Sequence, residues 1–275
     1  MTDLDAIMQQ VNRPARYSGA EWNSVVKDWE NTPLRLVLSY PDLYELGMST
    51  LALPILYEII NSREDVLAER VFAPWPDMES LLRRENIPLF SLESRHPLGA
   101  FDVIGFSLGY ELTYTNVLNM LDMAGIPVLA EDRDVGHPLI MAGGSCALNP
   151  EPMSDFIDFF VIGEGEEVII KVLDCLRDSK AREEGRKRLL ERLASIPGIY
   201  VPCLYRAEYD ADGFFREISP LTPAASPKIE RRTLSQLPPP PKRPVVPYIE
   251  TVHDRATIEI QRGCSRGCRF CQAGM

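Results

Sequence analysis

From Leu34 onward, short apolar runs alternate with amphipathic stretches, and this alternation restricts the fold more than any other feature of the sequence. The stretches predict helices at residues 48–61, 77–86, 112–125 and 164–179. The apolar runs predict β-strands at Leu34–Tyr40 and at residues 66–73, 102–108, 138–142 and 158–162. Strands that alternate with helices favour a parallel sheet covered on both faces. We therefore predict an α/β fold with a flavodoxin-like parallel sheet over residues 34–180, whose ligand site lies beyond the carboxyl ends of the strands.

Two segments of different character flank this predicted domain. Residues 1–33 are mixed and polar, and the seven-residue spacing of Trp22 and Trp29 predicts a helical extension. Residues 181–250 predict a charged helix, then a hairpin at the Asp-Ala-Asp-Gly turn, and then a linker that contains four consecutive prolines. A proline-rich stretch of this kind is extended and semi-rigid, so it separates two units of the chain.

Residues 251–275 begin a further unit. They contain one predicted strand, at residues 257–261, followed by a cysteine-rich loop. One strand and one loop cannot bury a hydrophobic core. We therefore expect the chain to be the N-terminal part of a longer protein.

Charge and composition exclude several classes of protein. The 275 residues include 29 Lys and Arg against 40 Asp and Glu, a net charge of −11, which argues against a basic stripe along a nucleic-acid backbone. Hydrophobic residues make up 45%, as in ordinary globular proteins. No apolar run approaches the roughly 18 residues of a membrane span, and the N-terminus lacks the pattern of a signal peptide. We therefore expect a cytoplasmic protein without membrane contact, whose cysteines are free or metal-bound.

Three cysteines lie within eight residues, as C-x3-C-x2-C, at Cys264, Cys268 and Cys271. Thiolates held this close converge on one metal ion or one cluster. Gly263 and Gly267 allow the positive φ values that a tight loop requires. Three ligands leave one metal position open, which suggests chemistry. The alternatives are a zinc site completed by residues elsewhere and three cysteines without metal.

This cysteine motif, with the aromatic Phe270 before its last cysteine, resembles the signature of the radical S-adenosylmethionine superfamily. The string over residues 259–275 and the opening RPARYSGAEWNSVVKDW resemble a branch with an N-terminal cobalamin-binding-type domain. The resemblance implies that residues 251–275 begin a radical S-adenosylmethionine (β/α) barrel. It also implies that each of the three motif cysteines binds one iron of a [4Fe-4S] cluster.

The resemblance further implies an enzyme and its partners. The fourth iron would bind the amino and carboxylate groups of S-adenosylmethionine, and the reduced cluster would cleave this cofactor to a 5′-deoxyadenosyl radical. A reductant such as flavodoxin or ferredoxin would supply the electron, and the substrate could be RNA, a protein or a small molecule. Residues 1–275 alone should be inactive, because one strand and one loop leave the cluster open to water and oxygen.

The loop after the first predicted strand carries part of the cobalamin resemblance. Cobalamin-binding domains of this type have D-x-H-x-x-G there, and the histidine binds cobalt. Here Asp42 and Gly47 stand at the matching spacing, but Tyr44 replaces the histidine. A phenol of pKa about 10 is a poor neutral donor. We therefore expect cobalamin to bind without a protein ligand below cobalt.

The ends of the third and fourth predicted strands match the region that holds the nucleotide tail of cobalamin. Ser107 ends the third strand, and Gly143 and Gly144 end the fourth, where glycines let a ligand approach the backbone. The G-E-G-E sequence at residues 163–166 resembles a turn common in cobalamin-type radical enzymes. It is also typical of a helix start with acidic residues.

Two other functions remain open at this point. The first is an iron–sulfur protein for electron transfer or sensing, without turnover of S-adenosylmethionine. The second is a binding module, in which the α/β domain contacts a partner and has kept a cobalamin-type fold without the cofactor.

Overall fold

Six strands form the central sheet of the computed structural model, which describes residues 4–253 and 255–271. They are β1 Leu34–Tyr40, β2 Val66–Phe72, β3 Val103–Ser107, β4 Leu139–Gly143, β5 Phe159–Val161 and β6 Ile199–Tyr200. Their order across the sheet is β2-β1-β3-β4-β5-β6. Strands β1 to β5 pair in parallel, and β6 is antiparallel to β5. The predicted α/β fold with a mainly parallel sheet is confirmed.

Helices cover both faces of this sheet, as the apolar strands require. The helices are α1 Leu4–Met8, α2 Tyr44–Gly47, α3 Ala52–Asn61, α4 Pro76–Arg84, α5 Tyr114–Met123, α6 Glu166–Ala181 and α7 Arg186–Ala194. Apolar residues of α1, α4 and α5 pack on one face, and those of α3, α6 and α7 pack on the other. Within the described ranges, no helix has both the length and the apolar character needed to cross a bilayer.

A separate hairpin follows the sheet, formed by β7 Tyr205–Tyr209 and β8 Phe215–Pro220. Its turn is the predicted one: Asp210 Oδ1 accepts hydrogen bonds from the backbone N–H groups of Asp212 and Phe214, at 3.0 and 2.9 Å. Strands β6 and β7 do not form one continuous strand. A 3-10 turn that begins at Pro202 separates β6 from β7, because proline cannot donate to a strand ladder.

Two sequence-based predictions of secondary structure are wrong. No helix contains Trp22 and Trp29: the indole of Trp22 is 76% exposed, and Trp29 stacks on His96 with ring centroids 3.6 Å apart. Left-handed backbone at Ala20 and Asn23 interrupts any helix there. Residues 257–261 form no strand, because no described segment pairs with them. Parts of the first and last predicted units, residues 1–3, 254 and 272–275, lie outside the described residues.

A buried ion-pair network joins the N-terminal segment to β2. Arg70 Nη2 lies 2.9 Å from Glu21 Oε2, and Arg70 Nε lies 2.7 Å from Glu93 Oε1. All three side chains are 1% exposed. The two carboxylates thus depend on one guanidinium for compensation, since water does not reach them.

We predict that Arg70→Met lowers the free energy of unfolding by about 3–5 kcal/mol, because it leaves two buried carboxylates without their cation. Urea unfolding followed by circular dichroism measures the loss. Arg83→Met is the control: Arg83 also contacts two carboxylates, of Glu79 and Asp122, but its side chain is 44% exposed. The control should cost about 1 kcal/mol or less. Equal losses in the two variants would contradict the assigned role of Arg70.

Candidate functional site

A cavity of about 860 Å³ lies at the carboxyl ends of the parallel strands. Its floor is one face of the sheet, formed by Leu38, Gly105, Met141 and Val161 from β1, β3, β4 and β5. Helices α3 and α6 form its sides. The strand order reverses between β1 and β3, so the connections that leave these two strands diverge and open a crevice.

Residues 231–237, directly before the four consecutive prolines, also line the cavity, and we call this segment its roof. The backbone of Arg232 anchors this roof to the end of β5: its N–H donates to Ile162 O at 2.9 Å, and its carbonyl accepts from Glu164 N at 3.0 Å. Gly163 has a φ of 100°, and a Cβ there would lie 2.3 Å from Arg232 O. Only glycine therefore allows the roof to approach the strand.

The structure brings three of the predicted cofactor residues together in this cavity. Ser107, Gly143 and Gly144 all line it, and Ser107 pairs with Gly143 in the ladder between β3 and β4. A Cβ on Gly143 would meet Val161 Cβ at 3.8 Å, an ordinary contact, so packing does not demand glycine there. Gly144 has a structural reason of its own, because a Cβ would lie 2.6 Å from Leu108 O.

The three residues predicted after β1 lie outside the cavity lining. Tyr44 is 2% exposed, and its hydroxyl donates to Glu21 Oε1 at 3.0 Å, at the buried network of Arg70. Burial raises the pKa of the Tyr44 phenol. Asp42 accepts a hydrogen bond from the hydroxyl of Tyr110. A Cβ on Gly47 would lie 2.2 Å from the ring of Phe72, so tight packing explains this glycine.

Sequence reasoning missed Gly105, which lies within β3 on the cavity floor. A Cβ on Gly105 would lie 2.7 Å from the terminal methyl group of Met141. The signal was present in the sequence: a glycine inside a strand often marks a close approach of a ligand or of another backbone.

The cysteine loop lies beside the cavity, since Arg262 and Gly263 belong to the cavity wall. All three motif cysteines are free thiols, and Cys264 and Cys268 are exposed. The predicted positive φ angles are present, 75° at Gly263 and 66° at Gly267. No three potential metal ligands are gathered in the described ranges, so the thiols do not converge. Three accessible thiols on a glycine-bent loop nevertheless are the donor set that an iron–sulfur cluster takes.

Arg262 connects this loop to the turn between β5 and α6. Its guanidinium contacts three carboxylates: Nε lies 2.8 Å from Glu259 Oε1, Nη2 lies 2.5 Å from Glu166 Oε1, and Nη1 lies 3.6 Å from Glu164 Oε1. Hydrogen bonding to Glu259 raises the pKa of Arg262 further above its usual value. No sequence pattern links residues that are 96 positions apart, as Arg262 and Glu166 are.

Residues 52–202 match the protein family described as radical SAM proteins, N-terminal, where SAM stands for S-adenosylmethionine. This match covers more than half of the chain and includes β3, β4, β5, α3 and α6, which line the cavity. The chain belongs to this family.

Two individual proteins are similar to the chain. An uncharacterised protein of Methanocaldococcus jannaschii is 23% identical over 248 residues, which are 86% of this chain and 40% of the relative. The chain therefore spans about two-fifths of the length of that protein. The radical S-adenosylmethionine methyltransferase TsrM from Kitasatospora setae, solved with tryptophan substrate and the analogue aza-SAM bound, shows 14% identity and a TM-score of 0.36. That match covers 65% of this chain and 29% of TsrM, and at this TM-score it does not establish a shared fold.

We predict that Tyr44→Phe lowers the free energy of unfolding by about 1–2 kcal/mol, because Glu21 loses a buried hydrogen-bond donor. Urea unfolding measures the change. Tyr209→Phe is the control, since Tyr209 is 62% exposed, and it should change stability by less than about 0.5 kcal/mol. Unchanged stability in Tyr44→Phe would contradict the structural role of this phenol.

Proposed function

We propose that the chain is the N-terminal part of a cytoplasmic radical S-adenosylmethionine enzyme that also uses cobalamin. One observation carries this proposal: the cysteine loop forms part of the cavity wall. Arg262 and Gly263, directly before the first motif cysteine, line the cavity at the carboxyl ends of the strands. A ligand in the cavity is thus adjacent to whatever the cysteines bind. Membership of the radical S-adenosylmethionine family supports the same assignment.

The proposal divides the chain into four parts. Residues 1–33 are an N-terminal extension, residues 34–180 the cobalamin-binding α/β domain, residues 181–250 a connecting region, and residues 251–275 the start of the barrel. The strand order 2-1-3-4-5 of the parallel strands is that of a flavodoxin-like sheet, which supports the assignment of the second part.

Cys264, Cys268 and Cys271 would hold a [4Fe-4S] cluster, and its open iron would bind S-adenosylmethionine. When bound, the cluster supplies the electron that cleaves this cofactor and so gives access to hydrogen abstraction from an unactivated C–H bond. The chain contributes the three thiolates, and the left-handed glycines at 263 and 267 bend the backbone around them. The protein's part is to bind, to orient and to exclude water.

The cavity would hold the nucleotide tail of cobalamin. Gly143 leaves space in the cavity, and the Ser107 hydroxyl has no hydrogen-bond partner in the described part of the chain. The Ser107 hydroxyl is therefore available to a polar ligand atom. Because Tyr44 donates to Glu21 inside the core, the loop after β1 offers no phenol to cobalt. The reaction classes that fit this pair of cofactors are methyl transfer to an unactivated carbon and other C–H chemistry.

We expect a reductant such as flavodoxin or ferredoxin to supply the electron, and the substrate to be RNA, a protein or a small molecule. Omission of S-adenosylmethionine alone should abolish turnover. Undiminished electron transfer under that condition would indicate an iron–sulfur electron carrier instead.

Anaerobic reconstitution of the full-length protein with iron and sulfide should give about four irons per chain. Replacing Cys264, Cys268 and Cys271 with alanine should abolish the broad charge-transfer absorbance, because the cluster loses all of its protein ligands. Cys203→Ala is the control, since this thiol is exposed but lies outside the motif. Retention of iron by the triple variant would contradict the assignment.

We predict that Gly143→Leu weakens binding of hydroxocobalamin at least about tenfold, because the new side chain fills the cavity while its Cβ meets no close neighbour. Equilibrium titration followed by absorbance measures the affinity. Gly185→Leu is the control: a Cβ there meets nothing within 4 Å, and residue 185 precedes α7 outside the cavity. Equal affinity of both variants would mean that the corrinoid does not bind here.

A further inference from the structure

We propose that Arg262 is a positioning residue. Its ion pairs with the turn at residues 164–166 hold the first motif cysteine against the mouth of the cavity. This inference rests on the proposed function for the role of the cysteine, but the contact itself is independent of any cofactor. Arg262 stands two positions before Cys264, so the direction of its side chain sets where the cysteine loop begins.

The contact is stronger than an ordinary surface ion pair. Nη2 of Arg262 bridges Glu166 Oε1 at 2.5 Å and Glu259 Oε2 at 2.8 Å, while Nε binds the other oxygen of Glu259 at 2.8 Å. The side chain of Arg262 is 24% exposed and that of Glu166 is 10% exposed. A planar guanidinium that binds carboxylates through several N–H groups fixes an orientation, which a single ammonium group does not.

The neighbouring acidic residue supports this interpretation. Both Glu166 and Glu167 lie in the first turn of α6, where a negative charge is favourable without any partner. Glu167 is 60% exposed, and its one ion pair among the described residues is with Arg232, at 3.9 Å. Glu166 is instead turned inward onto Arg262, so the helix terminus alone does not explain its position.

Glu164 joins the same contact to the roof of the cavity. One of its carboxylate oxygens, Oε2, accepts the backbone N–H of Leu234 in the roof, and the other, Oε1, lies 3.6 Å from Arg262 Nη1. The cysteine loop and the roof are therefore held by one turn at the end of β5. Because this turn and the roof both line the cavity, a ligand bound there would lie beside them, and this would couple cavity occupancy to the position of Cys264.

Limited digestion with trypsin tests the contact in the protein without cofactors. Glu166→Gln should raise the rate of cleavage after Arg262, relative to cleavage after Arg266, by about fivefold at low salt, because a side chain held in ion pairs cannot enter the protease. Arg266 lies on the same loop without an ion pair among the described residues, so it serves as the internal standard. Glu167→Gln is the matched control and should leave the ratio unchanged. An unchanged ratio in Glu166→Gln would overturn the proposal.

Electron paramagnetic resonance tests the positioning role. In the reconstituted full-length protein, kept reduced by excess dithionite, adding cob(II)alamin should change the signal of the cluster, and Arg262→Gln should remove that response. Arg262→Lys should restore part of the response, since lysine keeps the positive charge but lacks the planar set of N–H groups of the guanidinium. An identical response in Arg262→Gln and the unmodified protein would overturn the proposal. Failure to assemble a cluster would contradict the proposed function instead, and the trypsin ratio would still decide whether the contact exists.

Discussion

The parallel pairing of β1 with a strand on each side is the constraint on which the rest of the structure depends. β2 joins one edge of β1 and β3 joins the other, so successive connections leave the same end of the sheet in opposite directions. As a result, the strand ends that carry a glycine turn, a serine or a pair of acidic residues all lie on one side of the molecule. The positions of the cavity, of its roof and of the turn at residues 164–166 that binds Arg262 all follow from this arrangement.

Two neighbouring regions of the molecule differ in how tightly their side chains are held. Where the N-terminal segment meets β2, Arg70 and its two buried carboxylates hold each other in place, because separating them would leave a buried charge uncompensated. In the cavity at the carboxyl ends of the strands, Gly143 leaves a volume that a side chain could have filled. An unfilled volume lowers stability. The contrast supports a division of roles, in which the Arg70 network maintains the fold and the cavity receives a ligand.

The sequence predicted the features that depend on local patterns. Apolar runs located the strands, and glycines at strand ends located Gly143 and Gly144 on the cavity wall. Features that depend on distant partners were not predictable: the burial of Tyr44 requires Glu21, and the position of Arg262 requires Glu166. The expected strand at residues 257–261 failed for the same reason, since a strand forms only beside a neighbour. The helix expected around Trp22 failed because residue spacing does not report backbone angles.

The position of the roof in the chain has a consequence for biosynthesis. The parallel strands and the helices that pack on them are complete by residue 194, whereas the roof occupies residues 231–237. Because proteins are made from the N-terminus and domains fold as they emerge, the sheet can form on the ribosome while its cavity is still uncovered. A large ligand can therefore be loaded into the nascent chain before the ribosome has released the segment that closes over it.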